Sequence, residues 1–379
     1  MKLAAIVCEY NPFHKGHQYH IEETKRKTGC DGIVAVMSGN FVQRGEGALF
    51  SKETRAKAAV LGGADLVLEL APYFAVQSAE AFSLGALKII TSIPEIKYLS
   101  FGAEEENIDI LKKAASILTD EPQSYKTALK EELDKGISYP TARQKALLKI
   151  GENDAAKALS SPNNILGVEY LKALKKFKSD IVPIAVKRVG AAHDSKAAGD
   201  MVSASYLREA YLKGDKIAFE NGIFGESISL SSALSKIAFE KMILSRIITM
   251  SEEELKEISE VSEGLENRIK KAVKEANSLE ELAERVKTKR YTMSKVRRIL
   301  LCAGLGIKKE ELYVLPPYAK ILAFNENGQK ILNKIKKTAD IPIIKNMTAL
   351  KKLSDKNLLK QYERETELDR LYRLYTEER

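Results

Sequence analysis

One stretch near the N-terminus decides the fold class of this chain, Leu3-Ala4-Ala5-Ile6-Val7-Cys8-Glu9-Tyr10-Asn11-Pro12-Phe13-His14-Lys15-Gly16-His17. Its apolar part, Leu3–Cys8, is continuous rather than alternating, which indicates a strand that is buried on both faces of a sheet. An Asn-Pro turn follows, and a helical pattern begins directly after it. A buried strand that leads into a helix is typical of a parallel β-α-β architecture.

The same pattern recurs along the first half of the chain. Apolar stretches separated by helical segments occur at Gly32–Met37, Leu66–Leu70 and Tyr98–Phe101, and a fifth strand is predicted at Ile181–Val186. Strands buried on both faces require helices on both sides of the sheet. We therefore predict a Rossmann-like α/β domain over residues 1–200, with a helical insertion at about 109–160.

From residue 201 onwards the pattern changes to long, charged amphipathic helices, including Glu252–Asn277 and Leu282–Cys302. Two short apolar runs, Ala319–Phe324 and Ile341–Ile344, precede a Lys/Glu/Arg-rich helix that starts at Ala349. The pattern predicts a second, mostly helical domain over residues 201–379.

Composition limits the class of protein. Hydrophobic residues make up 44% of the 379 residues and charged residues 30%, and no apolar run approaches the roughly 20 residues that span a bilayer. We expect a cytoplasmic protein with no membrane partner; the oligomeric state is not legible from the sequence.

The three cysteines, Cys8, Cys30 and Cys302, are too scattered for a disulfide framework or a metal site, so we predict no metal site.

The charge balance points to one class of partner. A formal net charge of +9 favours a polyanion, because clustered lysines and arginines gain affinity for phosphates by releasing counterions. A solvated lysine-rich surface would give the same charge, so this number alone does not decide between the two interpretations.

The residues that carry chemistry follow the first strand. Gly16 lets a phosphate approach the backbone, and His14 and His17, three residues apart on one helical turn, can face the same anion. A helix N-terminus at the carboxyl end of a parallel strand favours negative charge. We predict that these imidazoles stabilise charge on the α-phosphate of ATP and on the departing pyrophosphate. The alternative is a helix cap or a satisfied core histidine.

The stretch Asn11–His17 resembles the HxGH signature of the nucleotidyltransferase superfamily. A second superfamily motif, of the Ile-Ser-Ser-Thr-x-Ile-Arg type, resembles Val202-Ser203-Ala204-Ser205-Tyr206-Leu207-Arg208, although Ala204 and Tyr206 depart from it. Its serines would cap a helix and donate to phosphates, and Arg208 would meet the triphosphate. Without the resemblance, Ser203 is an ordinary helix N-cap.

Further motifs narrow the resemblance to the bacterial tRNA(Met) cytidine acetate ligases, along the whole chain. They are Met37–Gly45, Ser100–Glu104, Ser161–Leu166 and Val186–Gly190. The resemblance implies that ATP activates acetate as acetyl-adenylate, and that the acetyl group passes to N4 of the wobble cytidine of elongator tRNA(Met). It implies ATP contacts at Val7, Cys8, Glu9, Tyr10, Asn11, Pro12, Phe13, His14, Lys15, Gly16, His17, Gln18, Tyr19, His20, Gly102, Asn163, Arg188, Ser203, Ser205 and Arg208.

Several of these residues also have a physical interpretation. Asn40 follows the second strand, so its amide could orient acetate or ATP as a catalytic residue, or it could belong to a plain Ser-Gly-Asn turn. Gln43 and Arg44 could reach the substrate carboxylate or a phosphate, or be exposed loop residues. One of Asn163 and Asn164 is expected to cap a helix and the other to contact nucleotide.

Two further candidate residues lie at the ends of predicted strands. Gly102 ends the fourth strand, where a nucleotide could lie against the backbone or the chain could turn tightly, and Arg188 closes the fifth strand as a phosphate or base contact. His193 and Asp194 are adjacent in a predicted loop and are left out of catalysis.

Basic clusters on the predicted helical domain are the RNA-contact candidates. Lys289 and Arg290 adjoin a tyrosine that could stack on a base, and Arg297 and Arg298 follow them in the same predicted helix. A solvated helix face is the alternative. Mg²⁺ is expected to accompany ATP, held by phosphates and water rather than by a carboxylate cage.

Two other functions remain open from the sequence. A small-molecule adenylyltransferase would use both phosphate motifs but would not need the basic helical extension. A non-catalytic RNA-binding protein could keep an ATP site, although the intact His14 and His17 argue against it.

Overall fold

The first predicted strand, Leu3–Cys8, lies inside a seven-stranded sheet in the computed structural model, which describes residues 1–188, 202–224, 232–262, 264–312, 315–351 and 355–376. His193 and Asp194 lie outside the described residues. The strands of the described residues are β1 Leu3–Cys8, β2 Gly32–Ser38, β3 Phe41–Val42, β4 Glu46–Gly47, β5 Leu66–Leu70, β6 Ile96–Ala103, β7 Val182–Lys187, β8 Ala319–Phe324 and β9 Ile343–Ile344.

The sheet has the order β7-β6-β1-β2-β5-β8-β9. Its first five strands run parallel, and β1 pairs with β2 from Leu3 opposite Gly32 to Cys8 opposite Met37. Because parallel neighbours end at one edge, the loops after β1, β2, β6 and β7 meet there. The predicted mostly parallel α/β fold is confirmed.

Helices cover both faces of this sheet, as the continuous apolar strands require. In the first half they are α1 Lys15–Thr28, α2 Lys52–Leu61, α3 Pro72–Ala75, α4 Ala79–Thr91, α5 Ile108–Asp120, α6 Gln123–Leu133, α7 Tyr139–Lys149, α8 Asn153–Ala158 and α9 Pro162–Lys176. Alternate residues of β1 enter different cores: Leu3 and Ala5 pack with α4 and α9, and Ala4 and Ile6 pack with α1 and α2. Helices α5 to α8 fill the segment expected to hold the insertion.

The described helices of the second half are α10 Ala204–Leu212, α11 Lys216–Gly222, α12 Lys236–Thr249, α13 Glu252–Glu257, α14 Leu265–Val273, α15 Leu279–Val286, α16 Met293–Leu305, a 3₁₀ turn at Lys309–Leu312, α17 Glu326–Thr338, α18 Met347–Lys351 and α19 Lys356–Leu374. The predicted continuous helices at 252–277 and 282–302 are each broken in two. New helix starts explain the breaks: Gly264 lies at φ +79° before α14, and the Thr292 hydroxyl accepts the Lys295 N–H to cap α16.

The apolar runs that we placed in the helical C-terminal domain belong to the sheet. β8 pairs antiparallel with β5, with Leu66 opposite Phe324, and β9 pairs with β8. The physical reason is that β5 would otherwise present an unpaired strand edge, and β8 satisfies its backbone groups. The sheet is therefore completed by chain that follows the helical segment.

Buried charges join the last helix to the sheet. Lys52 of α2 contacts Glu69 of β5 at 2.6 Å and Asp369 of α19 at 2.5 Å. Lys320 of β8 lies 3.4 Å from both carboxylates. Lys52 and Glu69 are only 1% and 2% exposed, so each buried charge depends on its partners for compensation.

We expect Asp369→Ala to lower the free energy of unfolding by about 3 kcal/mol, because it removes one carboxylate from two buried ammonium groups. Glu367→Ala is the control on the same helix: Glu367 is 68% exposed and pairs with Arg364 at 3.3 Å, so its loss should cost less than about 1 kcal/mol. Urea unfolding measures both variants. Equal effects of the two substitutions would contradict the structural role given to this cluster.

Candidate active site

Helix α1 begins at the carboxyl end of β1 with a cap made of histidines. His14 is the N-cap residue, and its Nδ1 accepts the Gly16 N–H at 3.1 Å. The His14 N–H in turn donates to His17 Nδ1 at 3.2 Å, which forms a reciprocal capping box. The two rings stack with centroids 3.6 Å apart. The predicted pair therefore does cap a helix, and the cap fixes the orientation of both rings.

These hydrogen bonds assign the tautomers of both histidines. Because each Nδ1 accepts a backbone N–H, a neutral ring must carry its proton on Nε2. Both side chains line the cavity described below. Their Nε2–H groups take no part in the helix cap, which uses Nδ1 of each ring. Tyr10 packs its ring 4.8 Å from the His17 ring and holds it from the other side. The pair is a preorganised set of neutral donors.

Burial keeps the imidazoles neutral. Desolvation, followed by the positive charge of Arg188, lowers the pKa of His14 to about 3. Desolvation and then the neighbouring His14 lower the pKa of His17 well below its usual value. Desolvation and Arg188 lower the pKa of His20 to about 4, and His20 Nε2 lies 3.0 Å from the Ser100 hydroxyl. At neutral pH these side chains act as hydrogen-bond groups rather than as cations.

Arg55 of α2 fixes the strand ends beneath the histidines. Its fully buried guanidinium donates to the carbonyl oxygens of Glu9 at 2.5 Å and Ser38 at 3.2 Å, and it also donates to that of Gly39. Its Nε donates to the Phe50 carbonyl at 3.0 Å. One side chain thus ties the loops after β1 and β2 together.

A cavity opens at this edge of the sheet in two adjoining compartments. The inner compartment lies against β1, β6 and β7 and is lined by Ile6, Val7, Cys8, Tyr10, His14, Gly16, His17, Tyr19, His20, Phe101, Gly102, Asn163, Leu166, Tyr170, Val186, Lys187, Arg188, Val202 and Ser203. The outer compartment shares the histidines and adds residues from other elements, namely Glu9, Asn11, Gln43, Arg44, Ala79, Phe82, Pro162, Ile165, Ala204, Ser205, Arg208, Ser294, Arg297 and Arg298. The histidines stand where the compartments meet.

The short hairpin formed by β3 and β4 brings Gln43 and Arg44 to the outer compartment. The Gln43 N–H donates to Glu9 Oε1 at 2.7 Å, and Arg44 donates to the Ser205 hydroxyl at 3.0 Å. Desolvation raises the pKa of the Glu9 carboxyl, and the Gln43 N–H and Arg44 oppose that shift. The hairpin is thereby attached to both the β1 end and the start of α10.

The start of α10 supplies the second phosphate motif. Ser203 caps the helix by accepting the Tyr206 N–H at 3.2 Å, which is the ordinary capping role that the sequence left open. Arg208 donates to the Asn11 carbonyl at 2.9 Å and contacts Glu46 at 3.2 Å. The structure therefore brings Ser203, Ser205 and Arg208 to the cavity that holds the histidines.

The two asparagines of α9 separate clearly. Asn164 is 3% exposed, and its side-chain oxygen accepts the N–H groups of Glu104 and Glu105 at 2.9 and 3.1 Å. Asn163 lines both compartments and donates to Glu104 Oε1 at 2.6 Å. Neither caps the helix as we expected, because Ser161 occupies the N-cap position and Pro162 the first turn. Asn163 is the one placed to meet a ligand.

The ends of β6 and β7 meet beside the inner compartment. Gly102 pairs with Val186, and a Cβ at Gly102 would lie 3.4 Å from the Arg188 side chain. The Arg188 N–H donates to the Ala103 carbonyl at 3.1 Å, so β6 positions this arginine near the histidines.

Asn40, predicted as a catalytic residue, does not line either compartment. It is 2% exposed, its amide nitrogen donates to Asp369 at 3.0 Å, and its amide oxygen accepts the Lys52 N–H at 2.8 Å. The Ala48 N–H donates to its carbonyl at 2.9 Å, which closes the base of the hairpin. With both ends of its amide used in these bonds, Asn40 positions the base of the hairpin.

Other predicted residues also lie away from the cavity. Phe13 is fully buried and packs against Gly62, whose Cβ position lies 2.3 Å from the ring. Pro12, Lys15 and Gln18 are absent from both linings, as are Lys289 and Arg290. Arg297 and Arg298, predicted as RNA contacts, line the outer compartment.

The apolar lining of the cavity is not among the sites that the sequence predicts. Phe101, Leu166, Tyr170 and Phe82 come from β6, α9 and α4, and in the sequence they have the pattern of ordinary core residues. No local signal separates an apolar residue that faces a cavity from one that faces a helix. Within the described residues, no group of three or more His, Cys, Asp and Glu side chains could hold a metal ion, and no helix is long and apolar enough to cross a membrane.

Comparison with known proteins places the chain among nucleotide-using enzymes. The family model for the HIGH nucleotidyl transferases matches residues 1–379. Relatives named tRNA(Met) cytidine acetate ligase include that of Acetivibrio thermocellus, 40% identical over 98% of this chain and 94% of its own, and that of Caldanaerobacter subterraneus, 41% identical over 95% and 93%.

Solved structures agree with these relatives over almost the whole length. The apo structure of Thermotoga maritima TmcAL is 32% identical, with a TM-score of 0.93, and covers 99% of this chain and 95% of that chain. The structure of the same protein bound with alpha-thio ATP gives a TM-score of 0.91 at the same identity and coverage.

The depressed histidine pKa values predict how stability depends on pH. Between the unfolded value near 6.5 and the folded value of about 4 for His20, the unfolded chain binds more protons, so the free energy of unfolding falls as the pH falls. His20→Gln removes one such group and should lose about 1–2 kcal/mol less than the parent between pH 7 and pH 5. Urea unfolding at both pH values measures the difference. The same loss in both proteins would show that His20 is not held neutral by the fold.

Proposed function

Since this chain belongs to the HIGH nucleotidyl transferase family, we propose that it is a tRNA(Met) cytidine acetate ligase. It uses ATP to activate acetate as acetyl-adenylate and transfers the acetyl group to N4 of the wobble cytidine of elongator tRNA(Met). The relatives that bear this name match nearly the full chain at about 40% identity, and the T. maritima relative was solved with an ATP analogue.

One structural observation carries the proposal. The two neutral histidines of the α1 cap and the arginine of the α10 motif line one cavity at the carboxyl edge of the sheet. A helix N-terminus, two Nε2–H donors and the Arg208 guanidinium form a surface for the phosphates of a nucleotide. The inner compartment, with Phe101, Gly102 and Tyr170, has the apolar character that an adenosine group requires.

The first half-reaction forms acetyl-adenylate. A carboxylate oxygen of acetate attacks the α-phosphorus of ATP, the bond from that phosphorus to the bridging oxygen breaks, and pyrophosphate leaves with the electron pair. Negative charge grows on the α-phosphate and on the departing oxygen. His14 and His17 donate Nε2–H bonds to these oxygens, and Arg208 neutralises the leaving group. Because the rings are already oriented by the cap, they need no rearrangement as the charge develops.

The second half-reaction consumes the adenylate. The N4 amine of cytidine attacks the acetyl carbonyl carbon, the bond from that carbon to the AMP oxygen breaks, and AMP leaves as an anion while N4 releases a proton to solvent. The same histidines stabilise the phosphate of the departing AMP. The chain's own contribution is to position the reactants and to balance charge.

The predicted ATP contacts remain proposals for each residue. Those supported by their place in the cavity are Val7, Cys8, Glu9, Tyr10, Asn11, His14, Gly16, His17, Tyr19, His20, Gly102, Asn163, Arg188, Ser203, Ser205 and Arg208. Gln43 and Arg44 are the candidates for the acetate carboxylate. Mg²⁺ would travel with the phosphates of ATP, because the described side chains offer it no cage.

Transfer to tRNA requires a basic surface next to this cavity. Lys289 and Arg290 are exposed and lie between α15 and α16. They directly precede the start of α16 at Met293, the helix that reaches the outer compartment. We place them at the tRNA interface outside the cavity. A tRNA substrate places the reaction in the cytoplasm.

The test of the proposed function is exchange of labelled pyrophosphate into ATP without tRNA. We expect exchange that depends on acetate, followed by N4-acetylcytidine in unmodified elongator tRNA(Met), detected by nucleoside mass spectrometry. No exchange with any small acid would reject the ligase and leave adenylate transfer to a soluble phosphate, or RNA binding without catalysis, as the activities to examine.

We expect His17→Ala to reduce the exchange rate at least 100-fold, because it removes a preorganised donor from developing charge. Its binding of tRNA should change less than twofold, since the proposed interface residues Lys289 and Arg290 line neither compartment. Exchange kinetics and filter binding measure the two effects. An exchange rate like that of the parent would remove His17 from the catalytic set, and lost tRNA binding would indicate misfolding instead.

A further inference from the structure

The outer compartment is lined in part by residues that have no role in the first half-reaction. It shares both histidines with the inner compartment, and it adds an apolar set from α4 and α9 together with arginines from the hairpin and α16. We propose that it receives one extruded nucleotide of the RNA acceptor, with the base on the apolar set and a phosphate on Arg297 and Arg298. This inference rests on the proposed function and assigns residues to its second substrate.

The apolar set has the character of a base-binding surface. Ala79 and Phe82 lie in the first turn of α4, and Ile165 lies in the first turn of α9, beside Leu166, which lines both compartments. Tyr170 is left to the inner compartment, where adenosine is proposed to lie. Phe82 is 2% exposed and lies behind this surface, while Ile165 and Leu166 are half-buried and provide its accessible apolar area. Single-stranded RNA bases leave the stack to lie against apolar and aromatic side chains of this kind.

The arginine set has the character of a phosphate-binding surface. Arg298 contacts Glu260 at 3.2 Å with its side chain 12% exposed, and Arg297 contacts Glu280 at 2.6 Å with its side chain 46% exposed. The shielded Glu260 orients the Arg298 guanidinium, whereas the exposed Arg297 pair is free to rearrange, and each planar guanidinium retains donors for a phosphate. Ser294, one turn earlier on α16, lines the same compartment.

A close backbone contact holds the arginines at the cavity. Gly45 of the hairpin lies at φ +81°, and a Cβ there would be 2.5 Å from the Arg298 nitrogen and 2.6 Å from the Arg297 carbonyl carbon. Only glycine permits the hairpin to approach α16 this closely. The contact brings α16 beside Arg44, so the helical segment becomes part of the active-site wall.

The distribution of phosphate ligands favours the acceptor over ATP. The histidines, Ser203 and Arg208 gather around the start of α1 and α10, where the triphosphate is proposed to lie. Arg297 and Arg298 line the outer compartment only, as Arg208 does, but they lie on α16, which follows the exposed Lys289 and Arg290 in the chain. An entering nucleotide held there would bring its amine to the histidines at which the compartments join.

Two variants test this assignment. The double variant Glu260→Gln/Arg298→Gln removes one of the two proposed phosphate ligands without leaving an unpaired buried charge. Ile165→Gln replaces an apolar side chain of the base surface by a polar one at a half-buried position. Each variant should raise the KM for tRNA in acetyl transfer about tenfold. The KM for ATP in pyrophosphate exchange should change by a smaller factor. The double variant should also reduce the slope of log affinity for tRNA against log salt by about 0.7–1.

Arg26→Gln is the matched control. Arg26 also pairs with a carboxylate, Glu23 at 2.8 Å, but it lies at the far end of α1 and is 68% exposed. It should leave tRNA affinity, its salt slope and exchange within twofold of the parent. Thermal unfolding of all three variants confirms that they are folded.

The outcomes separate this inference from the proposed function. A raised KM for ATP with an unchanged KM for tRNA would assign the arginines to the triphosphate and overturn the inference. An unchanged tRNA affinity and salt slope in the double variant would overturn it as well, even in an assay without catalysis. Absence of acetate-dependent exchange in the parent protein would reject the proposed function, while tRNA binding would still test the compartment.

Discussion

The active-site edge depends on the guanidinium of Arg55. It is fully buried and donates to backbone carbonyls of Glu9, Ser38, Gly39 and Phe50, at the ends of β1 and β2 and before α2. A buried charge is costly unless it is hydrogen-bonded, so the four carbonyls must converge on it. This requirement fixes two loops relative to each other, and one leads to the histidine cap while the other leads to the hairpin.

The chemistry follows from that arrangement together with burial. In the α1 cap each Nδ1 accepts a backbone N–H, so each Nε2 carries the proton. Desolvation lowers the pKa values of both rings and keeps them neutral. A neutral, fixed donor can stabilise the developing charge of an adenylate reaction without the cost of bringing a cation into the site. Structural capping and proposed catalysis thus use opposite nitrogens of the same rings.

The C-terminal part of the chain is integrated into this site rather than attached beside it. β8 completes the sheet, and Asp369 of α19 compensates the buried Lys52 and holds Asn40 at the base of the hairpin. The Tyr372 hydroxyl donates to the Ala48 carbonyl at 2.8 Å at the other side of that base. The last helix therefore helps to place Gln43 and Arg44, although neither residue is near it in sequence.

The sequence by itself determined the parallel strands, the helix start at His14-Lys15-Gly16-His17 and the resemblance to the family, because continuous apolar runs and a compact motif are local signals. It could not separate Asn163 from Asn164, or show that Asn40 faces Asp369, because those roles depend on partners 59 to 329 residues away. The apolar lining from Phe82 and Tyr170 and the arrival of Arg298 at the cavity were decided by tertiary packing alone. The type of a side chain determines what it can bind, but the packing of distant elements determines which groups it contacts.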